Sequence, residues 1–573
     1  MARYKIGLLG TFVILLVSVL LVELGGMFAP LKQRLQLQTV PSAMLSFNAI
    51  GETLRQLNLL QVVPNEYVYY KHLPATELNK RHRLFQRKSR VDIQLYGLEH
   101  IPPEKLPSST IVYHDDLENP APLVSVVIDP VDLYDPVIGI LSNPLKRGKS
   151  WERSAFLSYF DQGRLVFASG IGLRIHGGKS RIAPMEKSFR AYFRSIYGEE
   201  QFQPGVIFDE RAEPIRHLIL HNDRRDNWHL VNPLAYDIAE RIGAIVPQTK
   251  PVRFFLNGEF QGVYVLTEHL SEEYLFSHYG HTRFTFVRTK WDAGTSQFQI
   301  GDYARYEAFK TWATQRTPLT MEEVQARVDL ENLSRWVLSI LFCAPTDALQ
   351  GPLLLDMTNP NAKWFWINWD MDHSFQDKYH RVEHPWELDT FRELRPHDPR
   401  GALFYRLIEG SPDFRSYFTR LFVDTMNHKL TQEFLHERLA HYEQIAINYG
   451  IQDREYIEIT RQFFDHRKAV LRQQMQERFH LSSSFACRVQ SPPNVQLEID
   501  GFSEQSGYEG WYFETTPIRV KVIPATGQTF SHWIINDQVV TSVGTVIEYP
   551  VTADTIIEAV VVQQVERKNE ETP

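Results

Sequence analysis

Residues 366–375 read WINWDMDHSF and place two aspartates, Asp370 and Asp372, at the end of an aromatic, strand-like run. Residues two apart on an extended chain face the same side. Both carboxylates can therefore converge on one point, the arrangement a hard cation such as Mg²⁺ favours. An Asp-x-Asp pair also occurs in ordinary acidic turns, and alone it reads as such a turn. Two further features favour a site: Asp347, across a predicted hairpin, and a basic glycine-rich segment far upstream.

Asp329 is placed to N-cap a helix whose Leu333, Trp336, Val337, Ile340 and Leu341 make a broad apolar face, and Pro345 stops it. Asp347 then falls just beyond a buried helix end. Extended segments, Leu353 to Asp356 and Lys363 to Trp369, flank the turn residues Asn359, Pro360 and Asn361. Folding that hairpin brings Asp347 toward Asp370, so that one carboxylate can serve an attacking hydroxyl while the others hold a metal.

Upstream, Leu123 to Asp129 (LVSVVID) reads as a strand, and Leu165 to Ile175 fits two more around Gly170 and Gly172. The chain passes Gly177, Gly178 and Arg181 before a further strand, Lys187 to Phe193. The two glycines let backbone N–H groups turn toward an anion, while Arg181 and Lys187 supply charge, as in a phosphate cradle; taken without the downstream aspartates, the segment reads as a plain glycine-rich hairpin with exposed cations. Leu230 to Ile242 has helical apolar spacing, ended by Gly243 as a C-cap. Val252 to Leu256 and Gly262 to Glu268 then form a hairpin through Asn257 and Gly258. This order is that of a small nucleotide-clamping lobe.

From Ala402 to Leu481 the pattern is helical, and its aromatics, Phe463 and Phe464 among them, read as core. After Ser491, Pro492 and Pro493 the spacing changes to alternation, with Val495, Leu497 and Ile499, then Ile518, Val520 and Val522. That predicts a small antiparallel β domain, β-sandwich-like, over residues 491–565.

Composition narrows the function classes. The chain has 573 residues, 43% hydrophobic and 12% aromatic, enough for packed cores in several domains. A formal charge of −8 and a pI near 6.2 argue against a nucleic-acid partner. The two cysteines, Cys343 and Cys487, have no zinc or disulfide spacing, and His373, His380, His384 and His397 fall in no zinc motif. Neither a Walker sequence nor a nucleophile elbow occurs. At the N-terminus, Arg3 and Lys5 precede an uncharged run from Ile6 to Val22, and the apolar character continues to Ala29. Residues 1–30 thus read as an uncleaved single-pass membrane anchor, with a membrane-proximal region at 31–120 and the bulk of the chain extracytoplasmic.

Four stretches in order, GLRIHGGKSR (Gly172 to Arg181), EKSFRAYF (Glu186 to Phe193), NGEFQGVYVLTEHL (Asn257 to Leu270) and NWDMDHSF (Asn368 to Phe375), resemble the CotH kinase family, the atypical protein kinases of spore coats. The resemblance spans roughly Leu123 to Leu481 and places the kinase-like domain at 121–485. It implies an α+β, kinase-like two-lobe fold that uses ATP and Mg²⁺ to phosphorylate hydroxyl side chains of a protein substrate. By this resemblance Lys187 contacts the phosphates, Asp347 is the catalytic base, Asp370 is the main metal ligand with Asp372 beside it, and Leu266 to Leu270, including Glu268, is the hinge near adenine. Family members commonly carry asparagines shortly after the catalytic aspartate. Here Gln350, followed by Gly351 and Pro352, stands as the substitute metal ligand. Asp237 and Glu240 are the candidates for the helix partner of Lys187. The alternative is a catalytically weak or inactive kinase-like scaffold acting in envelope or coat assembly.

Overall fold

The computed structural model describes residues 60–63, 67–70, 112, 114–178, 181, 187–199, 201, 205–208, 215–222, 228–289, 296–346, 350–377, 381–394, 398–451, 454–541 and 544–563. The anchor expected over residues 1–30 lies outside them. Among the described residues no helix is long and apolar enough to cross a membrane. The fold is mixed α+β and divides into two compact units, one built from residues up to Pro233 with Pro247–Thr282 and Gln444–Asp453, the other from Leu234–Val246, Arg283–Glu443 and Arg454–Pro573.

In the first unit, a short hairpin pairs β1 (Leu60–Val63) with β2 (Tyr67–Tyr70). The main body is a closed barrel of β3 (Leu123–Ile128), β4 (Arg153–Asp161), β5 (Arg164–Ile175), β6 (Phe189–Tyr192), β7 (His217–His221), β8 (Thr249–Leu256) and β9 (Glu259–Glu268), in the order β3-β4-β5-β6-β7-β9-β8. Six joins are antiparallel, and the parallel pairing of β3 with β8 closes the ring. Alternate residues pack together as one core: Val124 and Val126 of β3, Leu157 and Tyr159 of β4, Ile171 and Leu173 of β5, Leu218 and Leu220 of β7, and Phe254 with Tyr264. Each such aliphatic side chain contributes about 1.5–3 kcal/mol on burial.

The turns follow from local chemistry. Gln162 and Gly163, joining β4 to β5, both have positive φ, as do Asn257 and Gly258 between β8 and β9, which is the backbone a two-residue hairpin turn requires. Asn257 does more than turn. Its Oδ1 accepts from the Ile128 N–H at 2.8 Å and its Nδ2 donates to the Ile128 carbonyl at 2.9 Å, tying off the end of β3. The expectation of two strands around Gly170 and Gly172 is corrected: β5 is one strand of 12 residues. These glycines give room rather than a break. A Cβ on Gly170 would lie 1.8 Å from the Tyr197 carbonyl oxygen, and one on Gly172 would lie 2.5 Å from the Glu152 side chain.

In the second unit, an antiparallel sheet of β10 (Phe284–Thr289), β11 (Ser296–Ile300), β12 (Gly351–Asp356) and β13 (Phe365–Trp366) has the order β11-β10-β12-β13. Helix α1 (Val231–Ile242) enters this unit at Leu234, and Gly243 follows it at φ 100°, as the C-cap reading requires. Helix α2 (Leu330–Cys343) is N-capped by Asp329 through the Asn332 N–H and is buried along nearly its whole length. Helices α3 (Pro412–Asp424), α4 (Gln432–Asn448) and α5 (Glu455–Phe479) follow. Phe463 and Phe464 of α5 pack against Phe342 and Phe375, the core role their spacing indicated.

The C-terminal β module begins at Ser484, ahead of the compositional change at Ser491. One sheet holds β14 (Ser484–Gln490), β17 (Tyr508–Phe513), β19 (Gln528–Ile535), β20 (Gln538–Val540) and β22 (Thr555–Gln563). The other holds β15 (Gln496–Ile499), β16 (Phe502–Glu504), β18 (Ile518–Ile523) and β21 (Val546–Tyr549). It is not wholly antiparallel, as the alternation suggested. β14 and β22, the first and last strands, run parallel side by side, which the long chain between them permits.

A buried polar cluster joins the module to the helices. His428, in a π-helical turn after α3, places Nδ1 2.6 Å from Glu504 Oε1 and Nε2 3.5 Å from Asp500 Oδ2. Its ring stacks between Phe502 and Tyr508, with centroids 4.5 and 5.1 Å away. Asp500 also accepts from the Tyr512 hydroxyl at 2.6 Å, the Arg519 N–H at 2.9 Å and Arg420 at 3.1 Å.

Candidate functional site

The WINWDMDHSF stretch is held from several sides within the second unit. Asn368 donates its N–H to the Ile245 carbonyl at 2.8 Å and its Nδ2 to Ser339 Oγ at 2.7 Å, so the strand end is fixed to α2 and to the segment after α1. Two residues on, Asp370 has φ 61° and donates its N–H to the Tyr236 hydroxyl at 3.1 Å. Few residues other than glycine take that left-handed backbone, and aspartate is one of those that do. The chain then turns through Asp372 to Phe375, whose N–H reaches the Cys343 carbonyl at 2.9 Å.

This turn corrects the premise that Asp370 and Asp372 lie on one extended strand. The observed strand ends at Trp366, and the left-handed bend at Asp370 separates the two environments. Asp370 is half-buried, whereas Asp372 is 5% exposed and lies 3.9 Å from the Nε2 of the buried His373. The other ring nitrogen of His373 is 3.1 Å from Thr346 Oγ1. Asp370 is thus the more accessible of the two carboxylates. Gln350 has its carbonyl held by Arg400 at 3.1 Å, and Gly351, at φ 107°, leads directly into β12. Asp347, three residues before Gln350, lies outside the described residues, as do His380 and His397. Among the described residues no group of three His, Cys, Asp or Glu side chains gathers to hold a metal.

Lys187, Gly177, Gly178, Arg181 and Glu268 belong to the first unit. Lys187 is half-buried just before β6, where its carbonyl accepts from the Tyr264 hydroxyl at 3.1 Å and burial lowers the ammonium from its ordinary value. Gly177 adopts φ 101°, the special backbone its sequence position suggested. Arg181 has a different role from the phosphate contact expected of it. Its Nε donates to the Gly177 carbonyl at 2.7 Å, and its other nitrogens to the carbonyls of Pro144, Lys146 and Ile175. A planar guanidinium with five donors suits such a carbonyl cage, and burial pushes it down to about 10. Arg181 therefore braces the Gly177–Gly178 loop from behind. Glu268 is likewise turned inward, accepting from the Gln248 N–H at 2.9 Å with its second oxygen 3.2 Å from His278 Nε2. Only its backbone remains suited to a hinge.

Asp237, one candidate for a lysine partner, accepts instead from the Tyr442 hydroxyl of α4 at 2.9 Å, and burial raises its carboxyl to about 6. Glu240 is exposed. Sequence reasoning missed Tyr236, Ser339 and Asn368, which hold the site but carry no charge. The detectable signal was Asn368 beside Asp370, a buried amide in an otherwise aromatic strand.

The donor chemistry is oxygen-based. Burial pushes the thiols of Cys343 and Cys487 up, which disfavours the thiolate a soft metal needs. A half-buried carboxylate fits Mg²⁺, which keeps several waters and takes one or two carboxylates together with substrate phosphates. No curated protein matches the chain. The family model for CotH kinase protein matches residues 173–479, spanning β6 to α5 and including Lys187, Glu268, Gln350, Asp370 and Asp372, and the chain belongs to the CotH kinase family.

Proposed function

We propose that this protein is an ATP- and Mg²⁺-dependent phosphotransferase that modifies hydroxyl side chains of a protein substrate from a kinase-like two-lobe domain. The observation that carries the reading is Asp370, a half-buried carboxylate on a left-handed backbone braced by buried polar groups. In this reading Asp370 is the principal metal ligand, with Asp372 and Gln350 as further candidates. Lys187 meets the phosphates, aided by the backbone of Gly177 and Gly178. The backbone around Glu268 receives the adenine, and Asp347 orients or deprotonates the acceptor hydroxyl. Mg²⁺ would neutralise phosphate charge during transfer. The N-terminal segment anchors the chain in the membrane with its bulk extracytoplasmic; extraction by carbonate of the full-length chain would overturn that part.

The test compares three variants by calorimetric titration of ATP with Mg²⁺ and by autophosphorylation. Asp370→Asn weakens metal-dependent nucleotide binding. Asp347→Asn leaves binding intact and removes transfer, because its role is confined to the transition state. Lys187→Met reduces both. A wild-type chain that binds no nucleotide with any divalent cation would sink the enzyme reading.

One observation favours the second reading, an inactive scaffold in envelope or coat assembly. Where the family commonly has asparagines, Gln350 is followed by Gly351 and Pro352, and Gly351 is committed to β12, where a Cβ would lie 2.3 Å from the Ile367 carbonyl oxygen. Nucleotide binding without transfer would select it.

A further inference from the structure

A metal ligand is useful only if its carboxylate is held still, and the left-handed backbone of Asp370 is one that a free aspartate rarely populates. Two hydrogen bonds converge on this point from α1 and the turn behind it. The Asp370 N–H donates to Tyr236 Oη at 3.1 Å, and the Asn368 N–H donates to the Ile245 carbonyl at 2.8 Å. Tyr236 is itself immobilised. It is 2% exposed on a helix whose Leu234, Ala235, Ile238 and Ala239 are all fully buried, and the Ala235 carbonyl faces Cys343 Sγ of α2 at 3.9 Å. The phenol therefore reaches the strand end from a packed helix.

We infer that Tyr236 is a positioning residue: its hydroxyl fixes the Asp370 backbone in the conformation that presents the carboxylate to the metal. The inference rests on the reading of Asp370 as a metal ligand. It gives a buried phenol a role in metal affinity, separable from its packing role because the hydroxyl can be removed while the ring is kept.

The experiment uses the full chain and Tyr236→Phe, which keeps the ring and deletes the acceptor. Mn²⁺ binding in the presence of ATP is read by proton relaxation, and backbone protection over residues 368–372 by hydrogen exchange. Tyr236→Phe is expected to weaken the Mn²⁺ midpoint by about fivefold, the worth of one net hydrogen bond, and to speed exchange across 368–372 by a similar factor. Thr460→Val, which removes a buried hydroxyl bonded to the Tyr456 carbonyl on α5, controls for general loosening and should leave the Mn²⁺ midpoint unchanged. Equal weakening by both variants would show a merely structural role and overturn the inference. If Tyr236→Phe binds Mn²⁺ as the wild type does while Asp370→Asn abolishes binding, only the positioning role falls. If Asp370→Asn also binds like wild type, or wild type binds no Mn²⁺ with ATP, the metal-ligand reading falls with it.

Discussion

Replacing His428 by phenylalanine keeps a ring between Phe502 and Tyr508 but removes both nitrogens that meet Glu504 and Asp500. Breaking a buried pair from one side costs about 3–5 kcal/mol, because the partner charge is left stranded. Here the lower end applies. The Glu504 side chain is 25% exposed and regains water, while Asp500, 2% exposed, keeps Tyr512, Arg420 and the Arg519 N–H. A loss of about 3 kcal/mol speeds local opening on the order of a hundredfold. Hydrogen exchange over β14, β15 and β18, corrected for its intrinsic pH dependence, measures that opening.

The loss depends on pH with a definite sign. Burial alone would push the imidazole down, but hydrogen bonds to Asp500 and Glu504 and their negative charge outweigh it and raise His428 above its ordinary 6.5. A raised base stabilises fully below its unfolded value, and that contribution disappears as pH rises through the folded value. Asp500 behaves oppositely. Burial would raise it, yet His428, Tyr512, the Arg519 N–H and Arg420 hold it below its ordinary 3.8, so its share is present above that value and lost as pH falls through the depressed one. Asp424 and the Arg420 guanidinium complete the charges around the cluster. Wild type and His428→Phe should differ most near pH 6 and converge toward pH 9. A gap of the same size at both values would refute the charged-imidazole account.

Asp237 has the sign of His428, opposite to Asp500: its carboxyl is raised to about 6 from 3.8, so stability is lost as pH rises between those values. Asp237→Asn, which still accepts from Tyr442, should stabilise the second unit at pH 7 by on the order of 2 kcal/mol, read from urea midpoints; no gain at pH 7 would contradict this. Asn257→Ala removes both bonds to Ile128 at a positive-φ site and should cost about 3 kcal/mol, seen as a lower thermal midpoint that Asn257→Gly does not restore. Gly170→Ala drives a methyl against the Tyr197 carbonyl and should destabilise the barrel by about 3 kcal/mol; wild-type stability in that variant would mean β5 and the Tyr197 loop separate at little cost.

Local signals read well. Asn257-Gly258, Gly243 and the Asp329 cap each depend on one or two residues, and each holds in the structure. The barrel was less legible. β4 and β7 carry serine, aspartate and histidine among their apolar residues, so their patterns are mixed, and nothing local announces that Leu123 pairs with Arg253. At the candidate site, residue types pointed to Asp370 but not to its backbone. The left-handed aspartate donates its N–H to the hydroxyl of Tyr236, a residue far away in sequence. Basic residues misled most. Arg181 looked like an anion ligand, and Arg467 lay unnoticed in a helix, yet both are caged by carbonyls: Arg467 donates to Leu341, Trp386 and Leu388. A guanidinium facing carbonyls and one facing phosphate have the same sequence signature.

The seam that closes the barrel has a kinetic consequence. β3 and β8 meet at Leu123 and Arg253, about 130 residues apart, so β3 waits for most of the first unit to be made. At about 5–20 residues per second, that delay is on the order of ten seconds. Throughout it β3, a run of six residues that are all buried in the finished fold, shows an unpaired apolar edge to its surroundings. The nascent chain is most vulnerable to off-pathway strand pairing during that interval, and mutations that delay β8 should lower the yield of folded protein even where they leave its final stability unchanged.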